Sequence, residues 1–360
     1  MGTGHAMQLL DRMVITMVPS DLLTNHQIEN IFYVYISLLT ISAIGSLSVL
    51  VVSIVRWRHL RQQVHLLVQL ALADLLASLV LIFSSAISKR FAICQWICQY
   101  TLPLSLTFYF ISFLLVVVYA WKSKNAIQGW RERPADDEGG QCGRRISPMS
   151  IYLIVWFFPF AIFFSYAVMN LIHTSSVPEI FISGGNTTYC TNCFLFLDVP
   201  KLPPSAKEKL YCILIRAFLV IVVISVMLSC SVIYYKVGKW YKQRVHGGYV
   251  PVEGDSLSRK RFKSAFSTAR DMVMVILICW TPALVLIVLT TLVMSNQIEQ
   301  RHLYFLYLIQ AACLSLQGFL NSVVYAWRRP NFREPVFGEN TPLLQRNRAP
   351  FFEESLRTSF

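Results

Sequence analysis

Charged side chains are scarce in this chain: 14% of its 360 residues, against roughly 25% in an average soluble protein. A soluble fold of this length would need the missing polar surface to face water, so the composition excludes an ordinary soluble domain. Other absences narrow the field. No strand-like alternation of apolar and polar residues runs through the chain, which argues against a transmembrane β-barrel. No internal repeat is present. Neither Gly-x-Ser-x-Gly, His-Glu-x-x-His nor a paired intramembrane His/Asp set occurs, so no enzyme activity, cofactor or metal is expected. "MVITMV" (13–18) is too short for a secretory core and no small-residue cleavage site follows it, so no cleaved leader is expected. "MGTGHA" carries Ala6 where the myristoylation pattern requires Ser or Thr.

What is there is apolar and blocky. The hydrophobic fraction is 55%, gathered into seven segments near 31–55, 64–87, 98–121, 149–172, 211–235, 269–294 and 303–327. Each is close to the ~20 residues that cross a bilayer as a helix. Only a helix hides all its backbone polar groups in hydrocarbon without a partner strand. The expected fold class is therefore an all-α membrane protein, a seven-transmembrane-helix bundle over 31–335. A short extracellular segment (1–30) precedes it and a disordered cytoplasmic tail (336–360) follows.

Charge sets the orientation. The chain holds 32 Lys and Arg against 19 Asp and Glu, a formal net charge of +13. If the N-terminus lies outside, 7 basic residues fall on the outer side and 24 on the inner, with Arg216 inside the fifth segment. Basic residues collect on the cytoplasmic side, so the N-terminus is expected outside and the C-terminus inside. The same spread over loops at one face excludes a nucleic-acid partner. Membrane lipid is the first expected partner.

Within the apolar runs a few polar residues stand out. Asp74, in "LALADLLASL", is the one carboxylate well inside a segment. A lone charge there costs at least ~2.5 kcal/mol on insertion scales, so it should face the bundle interior with a partner. It could serve as an ion or proton site that differs between two packings, or as a neutral structural acid. Arg216 lies about six residues into its segment, roughly 9 Å deep. There it could meet an anionic ligand entering from outside or snorkel to the interface. Gln69, Asn170, Gln310, Gln317 and Asn321 are amides able to bond across a bundle. In "LQGFLNSVVYAWRRPNFRE" (316–334), Gln317, Gly318 and Asn321 should form the polar inner face of the seventh helix, opposite Asp74. The abrupt basic turn at Arg328 marks its cytoplasmic exit. In "CWTPA" (279–283), Pro282 should bend the sixth helix just after Trp280, giving either a pivot or a static kink.

Nine cysteines divide by compartment. Cys212, Cys230, Cys279 and Cys313 lie in spanning segments and read as small packers. Cys142 lies in an inner loop and reads as a free thiol. Cys94 and Cys98 ("CQWIC") and Cys190 and Cys193 ("CTNC") lie on the oxidising side, where disulfides are expected over a four-thiolate zinc site. Four cysteines allow three pairings. A bridge between the two pairs would hold the 173–210 loop over the bundle as a lid. That loop also carries "NTT", which makes Asn186 a candidate glycosylation site. On the inner side, Arg259, Lys260, Arg261 and Lys263 in "SRKRFKSAFSTARD" could contact a G protein or anionic lipid, or need no partner at all. Glu339, Leu343 and Leu344 in "ENTPLL" fit an acidic dileucine sorting pattern, with clathrin adaptors as partners and endosomal cycling as the consequence. A short amphipathic helix is expected after the seventh span at "RRPNFRE". No cysteine follows it, so no palmitoyl anchor is expected there.

"LALAD", "CWTP" and "NSVVY" (321–325) leading into a basic segment, in order and within seven apolar segments, resemble the G-protein-coupled receptor superfamily. "IGSLSVL" (44–50) and "LQGFLNSVVY" lean toward its cyclic-AMP-receptor-like and secretin-like branches. The resemblance covers about residues 30 to 335. It implies that Asp74 and Asn321 belong to a buried cluster that rearranges on activation. Trp280 would be a rotamer switch, Pro282 a hinge and Tyr325 a residue that swings inward as helix 6 moves out. It implies a bridge from Cys98 or Cys94 to Cys190 or Cys193. Arg216, Trp280 and Gln317 would line the ligand pocket, and Lys122 and Arg328 would join the basic stretch in coupling to a heterotrimeric G protein or arrestin. The third segment departs from the rhodopsin-like pattern, ending "VVVYAWKSKN" without an Asp/Glu-Arg-Tyr triplet, and Ser322 stands where that branch has proline. The expected function is a receptor at the plasma membrane or in endosomal vesicles, carrying an unidentified extracellular ligand's signal through helix 6. The rivals are a non-signalling seven-helix scaffold or trafficking protein and, with only Asp74 and Arg216 as intramembrane ionisable groups, a transporter or channel.

Overall fold

Helix α1 (Asn25–Val55) begins at a reciprocal cap. The Thr24 amide donates to Gln27 Oε1 at 3.0 Å, and the Gln27 amide donates to Thr24 Oγ1 at 3.3 Å. This is a capping box, and Leu23 and Ile28 on either side of it are both buried, as a hydrophobic staple requires. The helix therefore starts at Asn25, ahead of the apolar run that opens at 31. The computed structural model describes residues 23–55, 64–89, 91–129, 148–174, 193–197, 216–217, 220–229, 231–232, 235, 239, 255–293 and 300–324.

After α1 come α2 (Val64–Ile87), α3 (Phe91–Gly129) and α4 (Pro148–Thr174). Next are the short α5 (Val220–Ser229) and the long α6 (Asp255–Val293). A 3₁₀ turn (Gln300–Leu303) then leads into α7 (Tyr304–Ser315) and α8 (Gln317–Ser322). No strand occurs among the described residues. Among the described residues, six helical runs are long and apolar enough to cross a membrane, the last being Arg301–Ser322, in which the turn, α7 and α8 follow one another. Of the expected fifth span, 211–235, Val220–Ser229 is described as an apolar helix shorter than a bilayer crossing. Most of its flanks, and the segment expected to form an amphipathic helix after the seventh span, lie outside the described residues.

Two helices run well past the apolar segments that announce them. The basic stretch before the sixth segment, expected as a loop, is the first part of α6. Its Lys, Arg, Ala and Leu are good helix formers, and neither Gly nor Pro intervenes between Asp255 and Thr281. In the same way α3 continues through "KSKNAIQG" to Gly129. Conversely, the last span, Arg301–Ser322, is not one regular helix. Leu316, with ψ −9°, separates α7 from α8, although its amide still bonds Ala312 O at 3.1 Å.

Packing closes α1, α2, α3, α6 and α7 into a ring in that order. α8 lies against α1, α2 and α6, and α4 lies against α3. Next to α2's end, Lys89 lies over the Phe32 ring at 4.3 Å, a cation–π contact that ties this turn to α1. The outward faces are apolar. Ile44 (62% exposed) on α1 and Phe157 (69% exposed) on α4 are typical. Hydroxyls on these faces turn back on their own helices: Ser37 to Tyr33 O at 2.7 Å, Thr40 to Ile36 O at 2.7 Å and Ser165 to Ala161 O at 2.8 Å. That is how a hydroxyl is satisfied where hydrocarbon offers no partner.

Candidate functional site

The centre of the ring holds polar side chains. On α2, Asp74 shares a face with Leu70, Ala77 and Leu81, all buried, so the helical period that packs the leucines also carries the carboxylate inward. On α8 the same period buries Gln317 with Asn321 and Gly318 with Ser322. The two faces meet: Asn321 Nδ2 donates to Asp74 Oδ2 at 2.7 Å, and both residues are at most 2% exposed. Ser112 of α3 lies beside the same carboxylate. Among the described residues, Asn321 Oδ1, Gln317 Nε2 and the hydroxyls of Ser46 and Ser315 find no hydrogen-bond partner. The cluster thus holds spare hydrogen-bonding capacity, which lets it exchange partners if the helices shift.

Gly318 makes this junction possible. A Cβ there would strike Ser42 Oγ and lie 3.0 Å from Ser46 Oγ and 3.2 Å from Asp74 Cβ. The backbone of α8 therefore sits against the side chains of α1 and α2 as only glycine allows.

One layer above, toward the end of the bundle where α3 begins, the centre turns aromatic. Trp280 of α6 donates from Nε1 to Gln317 Oε1 at 2.6 Å. Its ring stands edge-on to Phe113, at 4.8 Å between centroids, and to Tyr109 at 5.7 Å. Further along, Tyr35 of α1 donates its hydroxyl to Gln310 Oε1 of α7 at 3.2 Å. Pro282 follows Trp280 by two residues inside α6. Beside it the Thr281 hydroxyl bonds Leu277 O at 2.6 Å, a back-bond that, with the missing proline N–H, loosens the ladder there. Pro103 in α3 and Pro159 in α4 are further helix-interior prolines.

Arg216 is buried and donates from Nη1 to Thr290 Oγ1 of α6 at 3.3 Å. Thr290 stands ten residues beyond Trp280, roughly 15 Å along the helix. Trp280 and Gln317 are thus brought together, and Arg216 is held at a different level. Of the four candidate cysteines, Cys98 and Cys193 form a disulfide. Cys94 falls in the first turn of α3, with its side chain outside the described set, and Cys190 lies outside it altogether. Lys122 falls in α3, and Arg259, Lys260, Arg261 and Lys263 fall in the first turns of α6, again without described side chains. Asn186, Tyr325, Arg328, Glu339, Leu343 and Leu344 lie outside the described residues.

Sequence reasoning passed over Ser42, Ser46, Ser112, Tyr35, Tyr109 and Phe113. Ser42 and Ser46 could have been found, since small residues four apart mark a close helix contact. Nothing in the local sequence distinguishes Tyr109 or Phe113 from other aromatics in the "LTFYFISF" run.

The family model for transmembrane protein 116 matches residues 28–344. The chain belongs to this family. No curated protein matches it. The match to the transmembrane protein 116 family spans α1 through α8 and the whole polar centre. With six helices among the described residues long and apolar enough to cross a bilayer, the chain is an integral, multi-pass membrane protein.

The bond between Asp74 and Asn321 should be measurable. Asn321→Ala leaves a buried carboxyl oxygen without its partner and is expected to cost about 1–3 kcal/mol. Asp74→Asn keeps a polar partner in place and should cost less. In the Asp74→Asn background Asn321→Ala should then lose less than in the wild type. Unfolding midpoints in detergent for the four proteins of this cycle check it, and zero coupling would mean that the bond contributes nothing.

Proposed function

We propose that this member of the transmembrane protein 116 family is a seven-helix receptor of the G-protein-coupled type, with its N-terminus outside and its C-terminus in the cytoplasm. One observation carries the reading. α6 is tied to the seventh span by the Trp280–Gln317 bond, one helical turn from the Asn321–Asp74 bond that ties the same span to α2. A shift of α6 about Pro282 must break or remake the first bond, and the spare acceptors around Asp74 can take up the change. The Cys98–Cys193 bridge supports the orientation, since disulfides persist on the oxidising side of a membrane. In this reading 211–235, of which Val220–Ser229 is described as an apolar helix, is the fifth span and brings the number to seven.

In this reading an extracellular ligand favours one of the two packings, and only its differential affinity drives the shift. The long basic start of α6, with Lys122 and Arg328, would meet a heterotrimeric G protein, an arrestin or anionic lipid on the inner face. Glu339, Leu343 and Leu344 would direct cycling between plasma membrane and endosomes through clathrin adaptors. No catalytic step is part of the proposal.

The test is a panel of G-protein activation reporters in cells expressing the chain, with Pro282→Ala and Lys122→Ala beside it. We expect basal signal above vector control for at least one G-protein class, altered by at least twofold in Pro282→Ala and reduced in Lys122→Ala. Silence across the panel, together with identical α6 positions in wild type and Pro282→Ala by distance-reporting labels, would sink the receptor reading. It would favour the non-signalling scaffold or trafficking protein. The absence of Asp/Glu-Arg-Tyr after the third span and the "ENTPLL" tail support that second reading. Truncation after Arg333 would then abolish the cellular phenotype while the bundle stays folded.

A further inference from the structure

Two cysteines of the outer side, Cys94 and Cys190, take no part in the Cys98–Cys193 bridge. Each stands a few residues before one of the bridged pair: Cys94 four before Cys98, Cys190 three before Cys193. The described residues around the bridge constrain where both positions lie.

On α3 the register is simple. The helix opens at Phe91, so position 94 is in its first turn. Four residues before Cys98 is one turn, about 6 Å nearer the start of α3 and on the same face. The direction of the loop follows from what flanks Cys193. After it, Phe194, Leu195 and Leu197 are at most 3% exposed and belong to the main core. The Phe194 ring lies 5.9 Å from that of Tyr35 on α1, and Phe196, with φ 66°, turns the chain between two buried leucines. Before it, the chain comes from α4, whose last turns lie beside the start of α3: Tyr166 donates its hydroxyl to Gln99 O at 3.4 Å. The loop therefore reaches Cys193 from the rim and passes it going inward. Cys193 itself is pinned twice, by its sulfur to Cys98 and by its carbonyl, which accepts from Ser84 Oγ of α2 at 3.1 Å.

The Cα atoms of Cys98 and Cys193 are 4.9 Å apart. Outward from there, one turn of α3 rises ~6 Å, and three residues of extended chain span at most ~10 Å. Three residues running beside that turn have the reach to bring positions 94 and 190 within the ~4.4–6.8 Å between Cα atoms that a disulfide requires.

We propose that Cys94 and Cys190 form a second disulfide, one turn of α3 outward from Cys98–Cys193. The receptor resemblance implies a single bridge here; the second is additional and closes a small ring of residues 94–98 and 190–193. The two thiols lose two protons and two electrons to a disulfide-bearing oxidoreductase of the secretory lumen, which is reduced to its dithiol. Once the inner bridge has formed, the outer thiols meet at an effective concentration of about millimolar or more, so pairing within the chain outruns pairing between chains. One bridge lets the loop pivot about Cys193, whereas two fix its direction as well. The inference needs only that this end of the bundle faces the oxidising side. It holds whether or not the chain signals.

The experiment maps the full chain, made in a eukaryotic secretory pathway and denatured without reductant in N-ethylmaleimide. Chymotrypsin cuts after Trp96 and so separates Cys94 from Cys98, whereas no aromatic residue parts Cys190 from Cys193. Two bridges therefore join three peptides, 92–96, 97–100 and 190–194, into one species that falls apart on reduction. We expect that species, with maleimide on Cys142, Cys212, Cys230, Cys279 and Cys313 only. Cys94→Ser should release the 92–96 peptide and place one new maleimide on 190–194, which stays joined to 97–100. If Cys94→Ser fails to fold, Cys190→Ser replaces it, with the new maleimide expected on Cys94, and the map of the unaltered chain decides by itself. Maleimide on Cys94 or Cys190 in the unaltered chain would overturn the proposal, as would either of them linked to another cysteine or to a second copy.

Discussion

Trp280→Ala is expected to lower the stability of the bundle by about 3–5 kcal/mol, the range found when a fully buried aromatic is truncated. Trp280 is among the largest fully buried side chains, held between two aromatic rings and bonded to Gln317. Removing it leaves a cavity at the point where α3, α6 and α8 meet. Two contributions are then separable. Trp280→Phe keeps most of the ring volume but deletes the N–H donor. An interhelical hydrogen bond within a membrane bundle averages ~0.6 kcal/mol and reaches ~1.7. The phenylalanine variant should therefore lose about 1–2 kcal/mol, clearly less than the alanine variant. Thermal unfolding of purified protein in detergent, followed by exposure of core thiols, gives both numbers. Equal losses for the two variants would mean that the hydrogen bond, not the packing, holds α6 in place. Two unaffected proteins would mean that Trp280 is not packed as described.

Gly318→Ala carries the second large effect, and its sign is decided by competition. Alanine is the better helix former by about 0.8–1.0 kcal/mol, which favours the substitution. Against it, the new methyl would overlap Ser42 Oγ and press on Ser46 Oγ and Asp74 Cβ. Ser42 accepts from Ser78 at 3.3 Å, so turning it away breaks another contact, and Asp74 Cβ is fixed by the backbone of α2. Overpacking of this kind costs about 1–3 kcal/mol. The clash exceeds the propensity gain, and Gly318→Ala should destabilise and loosen α8 from α1 and α2. Gly45→Ala is the control. Its nearest neighbour is the Phe319 ring at 3.2 Å, on a side chain 37% exposed and able to swing toward lipid. There the two contributions nearly cancel, and a change within about 0.5 kcal/mol is expected. Gly45→Ala costing as much as Gly318→Ala would show that the contact of α8 with α1 and α2 is not the tight one.

Much of the centre was legible in the sequence because burial of polar groups in hydrocarbon is so costly. A carboxylate at position 74 and amides at 317 and 321 have few places to go except toward one another, and the Asn321–Asp74 bond is where they go. The burial of Cys193, Phe194, Leu195 and Leu197 was not legible. "CTNCFLFL" reads as an outer loop with disulfide chemistry, and its aromatic and leucine residues carry no periodicity that would place them inside a bundle. Only the bridge to Cys98 and the turn at Phe196 send them there. Arg216 shows a third case. Its depth was readable from the rise of a helix, but its partner Thr290 lies 74 residues away and follows from which faces of two helices meet.

The sequence by itself determined that this chain lives in a membrane as helices, because long runs without charge leave the backbone no other way to satisfy its hydrogen bonds. It also determined which residues must turn inward, because a few polar side chains in each run have no solvent to face. Only the tertiary structure decided the partners: which cysteine meets Cys98, that Trp280 bonds Gln317, that Gly318 rests on Ser42, and that Phe194 packs against Tyr35. Periodicity assigns a residue to a face, while the close approach of two faces depends on every contact in the ring at once.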